Sequence, residues 1–383
     1  MKLPSYLKKN KLIFFIVLLF LALKIFAISM YKIIWWDASV YIGMGKYIYS
    51  LGNAGLWEYT RPIIWPIILG FFWKIGLNEV LVGRIIEIAL GGLCILLTYK
   101  TAEKLFDMKA ALLSALFLAV SPVFFFFDGI MLTEIVSTFF ALAGIYLFIN
   151  KKHIISGALL GLAFLTRFLQ IFIFLSLFLI LLFYYNKKNI KDLLKVIIGF
   201  LIVLLPYLIF NQVLYNDSLF PFTQHITLTK NSGWLNYQPL SYYFLELFKE
   251  NIFYLLSILG VILAFKNKDT NKKIIASAFL ILFIFFSSIK QKEMRFLIIL
   301  MPYMYILVSS SILHLFDMSV NRKPIYEHAQ KPKFFDRFKN NFYKHIFAVL
   351  IALSLMFSAY NSYPLYKKES AKQNPYAEME RRF

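Results

Sequence analysis

Stretches of roughly twenty apolar residues follow one another through this chain with only short polar breaks, and that repetition limits its fold more than any motif does. Crossing about 30 Å of hydrocarbon takes about 20 residues of helix. Inside lipid, backbone polar groups must be satisfied within a helix or a closed barrel. Runs near that length can be read at 12–31, 82–104, 109–127, 130–150, 153–167, 169–185, 194–214, 251–266, 273–289, 296–315 and 344–360. The expected fold is all-α, a polytopic membrane helix bundle of about eleven transmembrane helices, the fifth, sixth and eighth of them short. Were 153–185 one tilted helix, Thr166-Arg167 would sit at mid-bilayer, so two spans turning at Arg167 are expected.

Composition agrees: 60% of residues are hydrophobic, 42 are Phe, and the mean hydropathy is +0.68, far above soluble domains. A single cysteine, Cys94, lies in an apolar run, which excludes a disulfide framework or a cysteine-based metal site. The net charge of +21 would suggest nucleic acid in a soluble protein, but its distribution is topological. With the N-terminus inside, the inner segments are 1–11, the turn around Asp107, Lys151-Lys152, 186–195, 266–273 and 316–344. They hold about 24 of the 41 Lys and Arg but about 7 of the 20 acids. That is an orientation signal for a multi-pass plasma-membrane protein with membrane lipids as neighbours, and no nucleic-acid partner is expected. The first apolar run is too long for a signal-peptide core and no cleavage site follows, so it reads as a retained span. Lys24 within it either snorkels outward or faces the bundle interior.

Four segments then face outward: 32–81, Phe127 to Glu134, 215–250, and the basic turn Lys290 to Arg295. Ala38 to Leu51 and Pro62 to Ile75 in the first are too short or interrupted to span, and read as interfacial helices. Asp37 opens this segment, after Trp35-Trp36. An acid just above hydrocarbon is a functional candidate, although it could also cap the helix starting at Ala38. Asp128 and Glu134 frame DGIMLTE at the outer start of the fourth span. The first could cap that span and the second sit in its first turn, or a cation or metal from another loop could pair with them. Arg61, Arg84, Arg167, Lys290, Lys292 and Arg295 share the outer side. Surface salt bridges would explain each singly; together they offset the positive-inside tendency and suit a phosphate, Arg above all because its planar fork matches phosphate oxygens.

Of the five histidines only His225 is expected outside, and no HExxH spacing occurs. GxGxxG and GxxxxGK[ST] are also missing, which argues against nucleotide-phosphate loops. A carboxylate at the membrane surface, further acids, and cations fit for phosphate together match glycosyl transfer from a polyprenyl-phosphate sugar. There, a base takes the acceptor hydroxyl's proton and cations stabilise the departing phosphate.

Four motifs carry a resemblance over most of the first 310 residues: Asp37 with Tyr41; Arg61-Pro62 with Pro66; Asp128 to Glu134; and SGALLGLAFLTRF, ending at Arg167, with MRFLIILMP, containing Arg295 and Pro302. In order and spacing they resemble the membrane-integral GT-C glycosyltransferases. The resemblance is to the family 39 branch, which contains the protein O-mannosyltransferases and the transferase that adds aminoarabinose to lipid A. The resemblance implies a GT-C-like transmembrane catalytic domain at 1–360 and a polar extracytoplasmic tail at 361–383. It also implies Asp37 as the catalytic or acceptor-activating acid, and a dolichyl- or undecaprenyl-phosphate sugar as donor. Where many relatives carry Asp-Glu, this chain has Asp37-Ala38, so Asp128 or Glu134 would have to supply any second acid, for substrate or for a divalent cation. No cofactor is otherwise implied. Trp35-Trp36-Asp37 is also similar to the Trp-Trp-Asp motif of oligosaccharyltransferases, but that motif belongs to a C-terminal soluble domain, and interfacial tryptophans explain it here.

The expected activity is inverting transfer of one sugar from a polyprenyl monophosphate to a hydroxyl of an extracytoplasmic glycan, lipid or protein. Asp37 would be the general base, with Arg61, Arg295, Lys292 and Arg84 toward the phosphate, and Tyr41 and Arg167 as further candidates. A transporter or flippase of lipid-linked saccharide, or a non-catalytic envelope-assembly subunit, is the alternative. Acids gathered on one face favour the enzyme over a transport path through the bilayer.

Overall fold

The computed structural model describes residues 11–28, 34–184, 187–231 and 237–320. Among these residues the chain forms helices and connecting turns with no strand, apart from one isolated antiparallel bridge between Tyr237 and Gln291. The apolar run at 344–360 and the tail at 361–383 lie outside the described residues.

The chain opens with α1 (Lys11–Ile28), then α2 (Trp36–Tyr49) and α3 (Ile64–Lys74) in the first long segment. Next come α4 (Glu79–Leu105), α5 (Met108–Ala119), α6 (Pro122–Phe127), α7 (Thr133–Ile149) and α8 (His153–Thr166). A 3-10 turn at Phe168–Gln170 leads into α9 (Ile171–Phe183). Then follow α10 (Lys187–Tyr215), α11 (Phe220–Asn231), α12 (Tyr242–Glu250), α13 (Leu256–Lys266), α14 (Thr270–Ser288) and α15 (Met301–Val320). Lys11–Ile28, Glu79–Leu105, Asn189–Tyr215 and Thr270–Ser288 are long and apolar enough to cross a membrane by length and composition.

Several expected spans are not continuous α-helix, among them 251–266, which opens as a 3-10 turn at Ile252–Leu255. The run 109–127 breaks at Val120-Ser121-Pro122, because the proline cannot continue α5 but is well suited to start α6, whose first turn Ser121 caps through Phe124 N–H. The run at 296–315 begins as a 3-10 turn, Met294–Ile299, before α15 takes over. The expected turn at Arg167 is present: α8 ends at Thr166 and Arg167 is extended.

Burial is reversed relative to a water-soluble bundle. Phe15, Leu18 and Phe26 of α1 and Ile198, Ile202 and Ile209 of α10 are exposed, whereas Lys24, Glu87, Thr98, Ser114 and Asp128 are buried. Apolar outer faces need no partner in lipid, and polar groups do. Helix α15 runs through the centre, with Tyr303 to Val308 entirely buried, and packs on α5, α13 and α14. Elsewhere α8 lies between α7 and α10, and α2 packs on α3. A Cβ on Gly45 would come 2.5 Å from Pro66 O, and one on Gly70 would collide with Gly45 O, so the α2–α3 crossing depends on both glycines.

Candidate functional site

Helix α2 starts two residues earlier than expected, at Trp36, so Asp37 stands inside its first turn and caps nothing; Trp35 holds the cap position without a side-chain bond. The capping explanation for Asp37 is thereby removed. Its carboxylate is gripped from two distant stretches: Arg61 Nη2 lies 2.9 Å from Oδ1, and Arg295 Nη1 donates to Oδ2 at 2.5 Å. Burial alone would push the Asp37 carboxyl up. The Arg295 and Arg61 charges override it and hold the group well below the usual carboxylate range.

The two arginines are shared with further acids. Arg295 Nε donates to Glu293 Oε2 at 2.6 Å and lies 3.5 Å from Glu134 Oε1. Arg167 Nη1 lies 3.0 Å from the same Glu134 oxygen and donates to Thr133 Oγ1 at 3.0 Å. Arg61 Nε donates to Glu58 Oε1 at 3.0 Å, and its guanidinium lies over the Tyr41 ring at 5.7 Å. Phe296 lies beneath both Arg167 and Arg295. The result is one continuous network of Asp37, Glu58, Glu134, Glu293 and three arginines. Burial opposes the charge on Arg295, but Glu293, Asp37 and Glu134 outweigh it, so this guanidinium stays protonated.

Each element supplies its residue for a local reason. Glu134 occupies the first turn of α7, as expected, where the helix N-terminus favours an acid. Arg167 sits where α8 stops, and Arg295 opens the 3-10 turn before α15. His225 on α11 approaches the network's edge, its Nδ1 3.1 Å from Thr60 O. Burial, together with the Arg167 and Arg61 charges, lowers its pKa below the ordinary value, although the Thr60 carbonyl acts the other way.

Several expectations require correction. Asp128 does not join Glu134: it is wholly buried at the C-terminal end of α6, against Gly91, with Lys24 as its charged neighbour, and it does not cap α7. Lys24 faces the bundle interior, donating to Phe125 O at 2.7 Å. Lys292 does not reach the network either; its ammonium is bonded to Gln238 O at 3.1 Å and to Ile289 O, tying two loop strands together. Arg84, half-buried on α4, is outside the network's described ion pairs. A divalent cation on Asp128 and Glu134 does not fit this arrangement, and no group of three or more His, Cys, Asp or Glu among the described residues is placed to hold one. Sequence reading missed Glu58 and Glu293. Their signal was local: each is an acid two or three positions before a candidate arginine.

Residues 60–210 match the dolichyl-phosphate-mannose-protein mannosyltransferase family, a stretch that includes Arg61, Glu134 and Arg167 but not Asp37 or Arg295. ArnT from Cupriavidus metallidurans, solved bound to undecaprenyl phosphate, superposes with a TM-score of 0.66 at 13% identity, over 93% of this chain and 76% of that one. The chain has the fold of the GT-C membrane glycosyltransferases. A second GT-C structure, the Archaeoglobus fulgidus oligosaccharyltransferase, matches with a TM-score of 0.66 at 14% identity, over 94% of this chain and 57% of its own length. The same organism's AglB, solved with an inhibitory peptide and a dolichol-phosphate, matches at 0.61 and 13% identity, covering 96% of this chain and 56% of that one. No curated protein matches the sequence significantly. With its apolar helices, the GT-C fold makes this a multi-pass membrane protein.

Proposed function

We propose that this GT-C chain is an inverting glycosyltransferase. It takes a single sugar from a polyprenyl monophosphate and delivers it to a hydroxyl of an extracytoplasmic glycan, lipid or protein. The observation that carries the reading is the double grip on Asp37: a half-buried carboxylate at the start of α2, held by arginines 234 residues apart in sequence (295 minus 61). The relatives solved with undecaprenyl phosphate and dolichol-phosphate support a lipid-phosphate donor.

In the proposed reaction the acceptor oxygen attacks the anomeric carbon as the bond from that carbon to the phosphate oxygen breaks. The acceptor proton passes to an Asp37 oxygen, and the lipid phosphate leaves with the electron pair. A carboxylate with a depressed pKa is fully ionised at neutral pH, yet a weak base while two guanidiniums hold it. Arg61 and Arg295 match phosphate oxygens as well as they match carboxylates. An incoming donor phosphate therefore competes with Asp37 for them, and as it draws one away Asp37 gains both a free oxygen and basicity. The same guanidiniums then stabilise the leaving phosphate.

The test is transfer of labelled sugar from dolichyl- or undecaprenyl-phosphate donors, comparing wild type with Asp37→Asn. Loss of the base should lower turnover by about 100-fold or more. Equal rates would sink the role of Asp37, and no transfer by the wild type with any donor would point to a transporter or assembly subunit.

A further inference from the structure

Glu87 takes no part in the network described above, yet it is a fully buried acid in the middle of a membrane helix, and such groups are retained for a reason. Its surroundings identify one. The segment Asp128–Leu132 joins α6 to α7 through two left-handed residues: Gly129 at φ +83 and Met131 at φ +66, the latter a conformation that L side chains rarely adopt. Such a backbone persists only where its surroundings over-determine it. Here they do. The Glu87 carboxylate accepts the Met131 N–H, and accepts the Leu132 N–H at 3.1 Å. From the other side, the buried Trp65 of α3 donates its indole N–H to Met131 O at 3.0 Å. Both faces of Met131 are thus held, by side chains of two different helices.

These bonds hold the start of a helix that lacks a side-chain cap. The N-cap residue of α7 is Leu132, which has no side chain able to bond the first-turn amides. Glu87 brings two acceptor oxygens to that terminus from α4. Asp128, Glu134 and Lys24, the last also fully buried, are the titratable groups that act on Glu87, so the acid is not isolated in an apolar interior. Two residues beyond Leu132 comes Glu134, whose carboxylate lies between Arg167 and Arg295.

We infer that Glu87 is a positioning residue for the network: by fixing the Met131–Leu132 backbone it sets where α7 begins, hence where Glu134 meets Arg295 and how Arg295 is shared with Asp37. Because it is anchored to α3 as well, through Trp65, the segment couples the Arg61 side of the network to the Glu134 side. The catalytic part of this inference rests on the glycosyltransferase reading; the clamp itself does not.

The experiment has two arms on the purified full chain. In the first, hydrogen exchange of the peptide covering 128–134 is compared in wild type, Glu87→Gln and Glu87→Ala. Glu87→Ala should speed exchange of the Met131 and Leu132 amides by more than 10-fold while α15 stays protected. Glu87→Gln, which keeps one acceptor oxygen, should fall between, and serves if the alanine variant does not fold. Unchanged exchange at these two amides overturns the clamp, whatever the enzyme transfers. In the second arm, transfer rates are measured for Glu87→Gln, Glu134→Gln and the double variant. If Glu87 acts through Glu134, the double variant should be no more than about 3-fold slower than the slower single variant. Losses that multiply, or a Glu87→Gln rate equal to wild type, overturn the positioning role. A wild type that transfers nothing defeats the function reading while leaving the exchange result standing.

Discussion

A single guanidinium, that of Arg295, links three carboxylates, and its removal separates their roles. With Arg295 absent, burial becomes the main influence on Asp37, opposed by Arg61 alone, and the carboxyl rises from its depressed position. A base must be ionised to work, so the acid limb of the transfer profile follows that rise. In Arg295→Gln, an acid limb of kcat/KM should enter the range of about pH 4 to 8, where the wild-type carboxylate stays ionised throughout, beyond any loss in rate. Stability follows the same direction. The Asp37 ion pairs contribute fully above the ordinary carboxylate range and are lost as pH falls through the depressed native value. A limb that stays in place in Arg295→Gln would mean that another acid limits the rate. Lysine is no substitute at this position, because a point charge cannot present the separate N–H groups that reach Asp37 and Glu293.

Helix α12 illustrates how a short element in the 215–250 segment is tied to the bundle. Glu250, its last residue, is buried against Ser121 Oγ, with the Val123 amide 3.4 Å away. Burial pushes its carboxyl up from 4.5 to about 7, with the Ser121 and Val123 bonds pulling the other way. A carboxyl raised in the native state holds its proton there after the unfolded chain has lost it, so stability declines as pH rises from about 4.5 to about 7 and then levels off. The span of that decline is on the order of 3 kcal/mol. Thermal unfolding in detergent should show the midpoint falling between pH 5 and 7.5 in wild type, and a flatter profile in Glu250→Gln. At this scale most elements were legible in sequence, since hydrophobic run length registers each span directly and Arg167 marks its own turn. The break at Ser121-Pro122 was not read, because an apolar run on both sides concealed the proline. Partners of buried charges were not legible. Asp128 and Glu134 lie six residues apart yet face different neighbours, because the left-handed residues at 129 and 131 turn the chain between them. Glu58 and Glu293 vanished into segments read for their arginines, since net charge along a sequence does not reveal which charges touch.

For the whole molecule, the charge count and the network make one joint statement about direction. Helix α7 runs from Glu134, in the network, to Ile149, and Lys151-Lys152 follow at its far end. The positive-inside rule leads us to propose those lysines on the cytoplasmic side, which would put Asp37, Arg61, Glu134, Arg167 and Arg295 on the opposite, extracytoplasmic side. There a lipid-linked sugar would be met by a site that needs no nucleotide. The chain is well suited to a direct check, because its one cysteine, Cys94, is buried and can be replaced by serine. On that background, single cysteines are introduced at Asn53, an exposed position between α2 and α3, and at Lys151, an exposed position after α7. A membrane-impermeant maleimide added to intact cells should label Asn53→Cys at once, and Lys151→Cys only after the membrane is opened. The reverse pattern would place the arginine–carboxylate network in the cytoplasm and exclude an extracytoplasmic acceptor. Labelling of both in intact cells would mean that α7 does not cross the bilayer, since its 17 residues reach only about 26 Å and depend on neighbouring helices to span.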